Sequence, residues 1–354
     1  NYTGSVSSNS VTITISATDL QALTEGTNTI TADVSDDAGN AASQSSTTFV
    51  YDKTSPSISS ITLSWGTVLN ATEDNNNGTV TVATSGVEDG QTVTLGLNSR
   101  TYTGSVSSNS VSITISAARL QELVDGTTYT LTADVSDVAG NAATQLSTTF
   151  TYDKSAPSIS SITPSWGSHL NATEDNSSGT ITVATSGVED GQTLTITLNG
   201  TNYTGSVSSN SVTITISATN LQALSEGTNT ITANVSDAAG NAASQSSTTF
   251  TYDKTSPSIT SITPSWGSHL NATEDNSVGA VTVVTSGIED GQTVTVGLNG
   301  TNYTGSVSSN SVTVTISATD LQALNEGTNT ITADVSDVAG NAATQSSTTF
   351  IYDK

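Results

Sequence analysis

A ten-residue motif recurs unchanged at regular intervals, and its spacing is the strongest constraint on how this chain can fold. The motif YTGSVSSNSV begins at Tyr2, Tyr102, Tyr203 and Tyr303. Two shorter motifs keep the same spacing: SWG, around Trp65, Trp166 and Trp266, and YDK, from Tyr51, Tyr152, Tyr252 and Tyr352. A period of about one hundred residues is too long for one turn of a solenoid and matches a whole small domain. The chain is therefore predicted to be a tandem array of similar domains.

Proline-containing segments mark the expected domain boundaries. Pro56, Pro157 and Pro257 each follow a YDK motif. Because proline fixes φ and has no N–H to donate, it suits a short linker or the start of an edge strand. These boundaries give three complete repeats, 54–153, 154–253 and 254–354, preceded by the C-terminal half of a repeat at 1–53. The half repeat lacks the first three strands, so we do not expect it to close a sandwich alone. Since the chain starts in the middle of the pattern, we expect it to be part of a longer protein.

Repeat 154–253 shows how one period is expected to fold. Val212, Ile214 and Ile216 alternate with threonines, which is typical of a half-buried strand. The Asn-Gly pair at 199–200 indicates a hairpin between two such runs. The predicted strands A to G are Ser158–Ser165, Thr180–Thr185, Thr193–Asn199, Tyr203–Val207, Val212–Ser217, Thr228–Ser236 and Ser246–Tyr252, with a helical turn at Ala218–Leu224. Short strands in this number, without cysteine, predict an all-β fold: tandem immunoglobulin-like Greek-key sandwiches of about seven strands, arranged end to end.

The charge balance excludes two classes of partner. Lys and Arg number 6 against 31 Asp and Glu, for a formal net charge of -25. Such a chain repels nucleic acid and anionic membrane surfaces, and no apolar run is long enough to insert into a bilayer. Basic proteins and cations are attracted instead. Because the chain has no cysteine, a secreted form would need a stabilising device other than disulfides.

Alternating strand directions sort the acidic residues onto the two ends of each repeat. Loops A–B, C–D and E–F and the end of strand G are expected at one end, called here the lower end. Loops B–C, D–E and F–G are expected at the other, called the upper end. In repeat 154–253, Glu174 and Asp175 lie in loop A–B, and Asp253 ends strand G. The Glu-Asp pair at 189–190 lies in loop B–C, and the Asp-Ala-Ala-Gly-Asn sequence at 237–241 lies in loop F–G.

If the lower end of each repeat meets the upper end of the next, carboxylates from both converge at the junction. Two carboxylates roughly 6 Å apart repel by about 3 kcal/mol at an effective dielectric constant near 20. Ca²⁺ removes this repulsion, since it takes six to eight oxygen ligands in a flexible geometry, whereas Mg²⁺ demands a strict octahedron. We therefore predict several Ca²⁺ ions at the junctions and end loops. The predicted ligands are Asp36, Asn40, Asp52, Glu73, Asp74, Glu88, Asp89, Asp137, Asn141, Asp153, Glu174, Asp175, Glu189, Asp190, Asp237, Asn241, Asp253, Glu274, Asp275, Glu289, Asp290, Asp337, Asn341 and Asp353.

The copies differ at other acidic positions, which helps to separate the predicted ligands from solvated charges. Asp19 is replaced by Arg119 and Asn220 in later copies, whereas the Glu-Asp pairs of loops A–B and B–C never change. The simpler alternative is that the loop acids are solvated or mark turns, as Asp-Gly and Asn-Gly sequences often do. The sequence alone leaves both interpretations open for any single residue.

The motifs also resemble a known family. Thr-Ser-Pro-Ser-Ile at 54–58, Leu-Asn-Ala-Thr-Glu at 170–174, Val-Glu-Asp-Gly-Gln at 188–192 and Val-Ser-Asp-Ala-Ala-Gly-Asn at 235–241 resemble the bacterial immunoglobulin-like extender repeats of giant adhesins with repeats-in-toxin-type C-termini, among them bacterial ice-binding adhesins. The resemblance implies a Gram-negative surface protein, exported by a type I system and anchored to the outer membrane, whose repeat array holds terminal ligand-binding domains away from the cell. It also implies calcium at the linkers, with neighbouring repeats as partners in a monomeric rod. The calcium-binding nonapeptide repeats of that family are absent from this stretch.

Two other functions compete with that of a spacer. The only histidines are His169 and His269, the first complete repeat has Val68 at that position, and no G-x-S-x-G or H-E-x-x-H motif occurs, so an enzyme is not predicted. The alternative is that the repeats are adhesive modules that bind glycan or another surface ligand. The tryptophans of the SWG motifs could stack on sugars, and the Thr-x-Thr runs could face ice, although any strand with one solvated face shows the same pattern.

Overall fold

The computed structural model describes all residues from 1 to 354 and consists mainly of short antiparallel strands. It divides into two compact units, Asn1–Ser155 and Ala156–Lys354. The half repeat contains α1 (Ala17–Gln21), β1 (Gly26–Ala32) and β2 (Ser45–Tyr51). The first complete repeat contains β3 (Ser57–Leu63), β4 (Val68–Leu69), a 3-10 turn (Glu73–Asn75), β5 (Gly78–Ser85), β6 (Thr92–Leu97), β7 (Arg100–Ser105), β8 (Ser110–Ile115), α2 (Ala117–Leu120), β9 (Thr127–Asp134) and β10 (Leu146–Tyr152).

The other two repeats have the same order of elements. The second contains β11 (Ser158–Pro164), β12 (His169–Leu170), a 3-10 turn (Glu174–Asn176), β13 (Gly179–Ser186), β14 (Thr193–Leu198), β15 (Thr201–Ser206), β16 (Ser211–Ile216), α3 (Ala218–Gln222), β17 (Gly227–Asn234) and β18 (Ser246–Tyr252). The third contains β19 (Ser258–Pro264), β20 (His269–Asn271), a 3-10 turn (Glu274–Asn276), β21 (Gly279–Ser286), β22 (Thr293–Leu298), β23 (Thr301–Ser306), β24 (Ser311–Ile316), α4 (Ala318–Gln322), β25 (Gly327–Asp334) and β26 (Ser346–Asp353).

Each complete repeat is a sandwich of two sheets. In the second repeat, a three-stranded sheet has the order β11-β13-β16, and a five-stranded sheet has the order β12-β18-β17-β14-β15. All neighbouring strands are antiparallel except β12 and β18, which are parallel. The predicted all-β, immunoglobulin-like Greek-key sandwich is confirmed. The pairing directions also agree with the predicted sorting of the loops onto two ends.

The sandwich has one strand more than the seven predicted. The predicted strand A ends at Pro164, the chain turns at Trp166, and the short strand β12 then joins the second sheet beside the last strand. The equivalent strand of the first complete repeat ends at Leu63, so proline is not required to end strand A there. No local pattern at 165–168 predicts that the chain continues as a strand in the opposite sheet.

A buried tryptophan packs in the hydrophobic core of each complete repeat. Trp166 is buried and packs edge-to-face on Phe250, with ring centroids 5.2 Å apart. The indole six-membered ring lies over Gly179, where an added Cβ would come within 2.5 Å of it. Trp65 and Trp266 have the same environment. Because the three indoles are buried, they cannot serve as the sugar-stacking surface considered from the sequence.

The half repeat contrasts with the complete ones. None of residues 1–53 is buried. Leu20 and Ile30 are 41% and 44% exposed, whereas their counterparts Leu221 and Ile231 are fully buried. The strands that would cover these apolar residues are those of the first half of a repeat, so the half repeat has no core of its own here.

No helix in the structure is long and apolar enough to cross a membrane.

Candidate functional site

The F–G loop of each repeat is a compact turn held by an aspartate and an asparagine. In the third repeat, Asp337 accepts hydrogen bonds from the backbone N–H of Asn341 (2.8 Å) and from its side-chain Nδ2 (3.0 Å). Gly340 adopts a φ of +92° between them, a conformation that favours glycine. Asp337 is 4% exposed. The sequence Asp-x-Ala-Gly-Asn is therefore a folded loop that presents the carboxylate, the amide and the intervening backbone together.

Hydrogen bonds keep the loop carboxylate ionised. At Asp137, the equivalent residue in the first complete repeat, burial favours the protonated form. The hydrogen bonds from the side chain and backbone of Asn141 outweigh burial, so the pKa of the Asp137 carboxyl is lowered. The loop therefore carries a buried negative charge.

The A–B loop at the lower end is closed by a reciprocal cap. In the second repeat, Asn171 Oδ1 accepts the N–H groups of Thr173 (2.9 Å) and Glu174 (3.0 Å), and Glu174 Oε2 accepts the N–H of Asn171 (3.1 Å). This is the arrangement of a capping box, in which the side chains of two residues three positions apart accept hydrogen bonds from each other's backbone N–H groups. The cap leaves the Asn171 amide nitrogen free to point away from its own loop.

The two acids of the A–B loop have different environments. Glu174 is exposed, whereas Asp175 is 5% exposed and accepts a hydrogen bond of 2.5 Å from the hydroxyl of Tyr252, the last residue of β18. Burial, together with this hydrogen bond and the charge of Asp175, raises the pKa of Tyr252 above its usual value. The same pair recurs as Tyr152 with Asp74 and Tyr352 with Asp275. These aspartates fasten loop A–B to the last strand.

Within unit Ala156–Lys354, the A–B loop of one repeat meets the F–G loop of the next. Asn171 Nδ2 donates to the carbonyl oxygen of Ala339 (2.9 Å), and the N–H of Ala172 donates to Asn341 Oδ1 (3.0 Å). Asn341 Nδ2 in turn donates to the carbonyl oxygen of Asp253 (2.8 Å), just before the linker. Asn341 is 5% exposed and Ala339 is 7% exposed. The sequence correctly indicated that these loops come together.

Within unit Asn1–Ser155, the corresponding contact is smaller. Residues 1–53 have no A–B loop, and Asn141 Nδ2 donates only to the carbonyl oxygen of Asp52 at 3.2 Å, besides its own loop. Ala139 is exposed and Asn141 is half-buried. The A–B loop is therefore what buries the F–G loop at a complete junction.

One protein family matches part of this chain. Residues 167–254 match the bacterial Ig-like domain family. The predicted resemblance to bacterial Ig-like repeats is confirmed over this range, and the neighbouring repeats share its motifs and topology. A comparison with curated protein sequences found no significant match.

Several solved structures are similar to this chain. A Ca²⁺-stabilised adhesin, described as helping an Antarctic bacterium reach out and bind ice, is 25% identical, with a TM-score of 0.43, over 99% of this chain and 88% of that one. A 1.5-MDa bacterial ice-binding adhesin is 25% identical, with a TM-score of 0.42, over 81% of this chain and 94% of that one. A bacterial immunoglobulin-like domain from the M. primoryensis ice-binding adhesin is 28% identical, with a TM-score of 0.22, over 27% of this chain and 99% of that one. With TM-scores below 0.5, these similarities do not establish a function for this chain.

Most predicted ligands of the Ig-like repeats act within their own repeat. In loop B–C, Glu289 Oε2 accepts the N–H of Val338 (3.0 Å) in loop F–G, and Asp290 Oδ1 accepts the N–H of Ser309 (2.7 Å) in loop D–E. Glu88, Asp89, Glu189 and Asp190 make the same two contacts in the other repeats. At the lower end, Glu73 and Glu274 cap loop A–B as Glu174 does. The loop pair of Asp36 and Asn40 and that of Asp237 and Asn241 have the geometry described for Asp337 and Asn341.

Acidic side chains order the linker, and those of Glu226, Glu25 and Asp125 are not among the ligands predicted from the sequence. Asp253 Oδ1 accepts the N–H of Thr255 (2.9 Å), and Asp52 and Asp153 make the equivalent bonds. Glu226, from loop E–F, accepts the N–H of Lys254 (3.1 Å) and the hydroxyl of Thr255 (2.9 Å), and these two bonds lower the pKa of its carboxyl. Glu25 and Asp125 do the same at the preceding linkers. The sequence signal for this role is the acid that recurs immediately before Gly26, Gly126, Gly227 and Gly327, next to the start of strand F.

The structure contains no group of three or more His, Cys, Asp or Glu side chains spaced to hold a metal ion. The residues at the junction nevertheless suit a hard cation. The carboxylates of Asp337, Glu174 and Asp253 belong to this junction, and no Lys or Arg pairs with them, since the only ion pairs are those of Arg100 and Arg119 with Glu122. Oxygen donors with uncompensated charge are those that Ca²⁺ takes. A full coordination shell would also need oxygen donors beyond these three carboxylates.

His169 and His269 lie in β12 and β20, and each ring Nδ1 contacts the hydroxyl of the preceding serine.

Proposed function

We propose that this chain is a structural spacer of a bacterial cell-surface adhesin, in which Ig-like repeats are fixed to one another at their junctions and stiffened by Ca²⁺. The observation that carries the proposal is the junction between repeats 154–253 and 254–354. There, polar groups from two repeats are buried against each other through Asn171, Asn341 and the Asp253 carbonyl. A chain of independent binding modules would not need its repeats joined by buried hydrogen bonds.

Three further features support a spacer. Each of the three complete periods has a hydrophobic core of its own. The linker residues are ordered by Asp253 and Glu226 rather than left flexible. The tryptophans that could have bound sugars are buried. A spacer must keep a fixed separation between its two ends, and repeats with separate cores and ordered linkers can do this.

The negative charge at the junction is the reason that Ca²⁺ is part of the proposal. The junction between repeats 154–253 and 254–354 combines the buried carboxylate of Asp337 with the acids at the lower end of the preceding repeat, and the chain carries a formal net charge of -25. Asp337, Asp253 and Glu174 are the residues of this junction that would hold the ion, which would supply positive charge between carboxylates of two repeats. Extracellular modules commonly bind Ca²⁺ with a Kd of about 10⁻⁴ to 10⁻³ M.

The wider setting follows from the same proposal. An acidic array stiffened by millimolar Ca²⁺ belongs outside the cell, on the bacterial surface, where that concentration is available. Outer-membrane anchoring, a monomeric rod and neighbouring repeats as the principal partners are part of the proposal. No catalytic role is included in it.

Small-angle scattering and calorimetry on the full chain test the calcium proposal. We expect a larger maximum dimension and a higher Tm in millimolar Ca²⁺ than in EDTA. At a Ca²⁺ concentration one hundred times the Kd, one site adds about 2.7 kcal/mol to the free energy of unfolding. Mg²⁺ at the same concentration is the control and should have a smaller effect. Superimposable scattering curves and equal Tm values with Ca²⁺ and with EDTA would refute the role of calcium.

A further inference from the structure

We propose that the asparagine of the F–G loop is an amide clasp between repeats and not a Ca²⁺ ligand. At the junction of repeats 154–253 and 254–354, Asn341 joins the two repeats by direct hydrogen bonds that need no metal. This inference refines the proposed spacer function and assigns the orientation of the junction to the protein's own amide groups.

The hydrogen bonds of Asn341 fix the orientation of its side-chain amide. Oδ1 accepts the N–H of Ala172, and Nδ2 donates to the Asp253 carbonyl and to the Asp337 carboxylate. A flipped amide would place Nδ2 against an N–H donor and Oδ1 against two oxygen atoms, so all three bonds would be lost. The oxygen atom therefore points away from the acidic groups that a cation would bridge. The NH₂ group occupies the position between those two oxygens.

A second asparagine completes the clasp from the other repeat. Asn171 Nδ2 donates to the Ala339 carbonyl, while its Oδ1 holds loop A–B together. In the third repeat, the equivalent Asn271 makes the same cap but donates Nδ2 to Glu274 instead, at 2.8 Å. The clasp therefore requires only that the Asn171 amide face the next repeat, in a loop that is already folded.

The F–G loop is also formed in advance. Asn141 makes the same two bonds to Asp137 (2.8 and 2.9 Å) where no A–B loop covers it. Ordering these side chains therefore costs little additional entropy when the repeats join. The surface fits another repeat of the same type. The hydrogen bonds between the repeats are made by the backbone of Ala172 and Ala339, so the side chain that precedes Ala339 is not part of the contact. That position varies among the copies, being Val138, Ala238 and Val338.

Because the chain has no cysteine, a pair of spin labels can be placed at exposed Thr219→Cys and Thr319→Cys on α3 and α4. Electron–electron distance distributions of the full chain are then recorded in EDTA and in Ca²⁺. We expect the parent chain to show the same principal distance in both buffers, with a narrower distribution in Ca²⁺, as the proposed stiffening requires. Asn341→Ala removes two inter-repeat bonds, which corresponds to a roughly tenfold to hundredfold increase in the open-to-closed ratio. It should therefore give a broad distribution in EDTA.

The control Asn141→Ala disrupts the same loop elsewhere and should leave this distance unchanged. If Asn341→Ala perturbs loop folding as a whole, Asn171→Asp serves instead, since it keeps the loop cap and removes the donor to Ala339. Its matched control is Asn271→Asp, which lacks the inter-repeat bond. Broadening with Asn171→Asp but not with Asn271→Asp would support the clasp.

A calcium titration of Asn341→Ala by calorimetry separates the clasp from a ligand role. The clasp predicts the same number of bound Ca²⁺ ions as in the parent chain. A narrow distribution for Asn341→Ala in EDTA, or a missing Ca²⁺ ion, would overturn the inference. If Ca²⁺ leaves the parent chain unchanged while Asn341→Ala broadens its distribution, the calcium proposal fails and the clasp stands.

Discussion

The buried pair of Tyr252 and Asp175 allows a quantitative test of what holds each repeat together. The Tyr252 hydroxyl donates to Asp175 Oδ2 at 2.5 Å, and the two residues are 1% and 5% exposed. Tyr252→Phe removes the donor and leaves the ring in place. The carboxylate then loses a charge-assisted hydrogen bond in a site that water barely reaches.

Tyr252→Phe removes only one oxygen atom, yet it is expected to lower the free energy of unfolding substantially. Hydrogen bonds to charged groups contribute about 1.5–3 kcal/mol, and leaving the buried partner unsatisfied accounts for much of that loss. We therefore expect the free energy of unfolding of repeat 154–253 to fall by about 2–3 kcal/mol. This corresponds to a roughly 30- to 150-fold larger population of the opened state.

Native-state hydrogen exchange followed by mass spectrometry measures this change repeat by repeat in the full chain. Peptides from β14 to β18 should exchange faster in Tyr252→Phe, while those of repeat 254–354 serve as the internal reference. Tyr203→Phe is the control, because that half-buried tyrosine packs on the same core without an aspartate partner. Adding Asp175→Asn to Tyr252→Phe should cost less than the sum of the single changes. A change below threefold in Tyr252→Phe would show that the pair does not stabilise the repeat.

Three further outcomes are expected from the geometry. Gly340→Ala and Gly140→Ala meet the same backbone strain, with φ of +92° and +94°, but only the methyl at 340 would approach Asn171 Nδ2, at 3.2 Å. Gly340→Ala should therefore deprotect loop 171–176 in hydrogen exchange while Gly140→Ala has no junction effect. Ser217→Ala should lower stability by about 1 kcal/mol in urea unfolding because it removes a helix cap, whereas Ser116→Ala, whose hydroxyl makes no cap bond, should change it little. Burial and Asp175 raise the pKa of Tyr252, and the hydrogen bond to Asp275 raises that of Tyr352 to about 12. Between the usual and the raised pKa values, the folded repeats keep the tyrosine hydroxyl protons that the unfolded chain loses. Tm should therefore stay constant up to about pH 10 and fall as the pH rises toward 12. A constant Tm across this range would contradict the raised tyrosine pKa.

The fold was largely readable from the sequence because each repeat obeys the period-two alternation of half-buried strands. Val212, Ile214 and Ile216 all face the core, as that alternation requires. The missed strand β12 has only two residues, His169 and Leu170, and is defined by its pairing with β18 rather than by any local pattern. Pairing of that kind depends on tertiary contacts that a local pattern does not contain.

The candidate site was predictable in its location but not in its chemistry. Topology alone indicated that loops A–B and F–G lie at opposite ends, so their meeting at a junction followed from the repeat. The sequence could not show that Asp175 turns inward to Tyr252 while its neighbour Glu174 stays exposed. Nor could it assign the donor and acceptor atoms of Asn341, since an asparagine can act as a ligand or as a donor according to the groups that face it.

Near-identical copies of one sequence act as an internal control for the energetics of the junction. Asn141 and Asn341 belong to the same loop sequence, yet one is half-buried and the other buried, and the difference is the presence of an A–B loop from the preceding repeat. The same comparison holds for Asn271 and Asn171. The junction is therefore a nearest-neighbour interaction that adds to the stability intrinsic to each repeat. Its strength can be measured only in chains that hold two complete repeats, and an isolated repeat would retain every loop cap while losing the clasp.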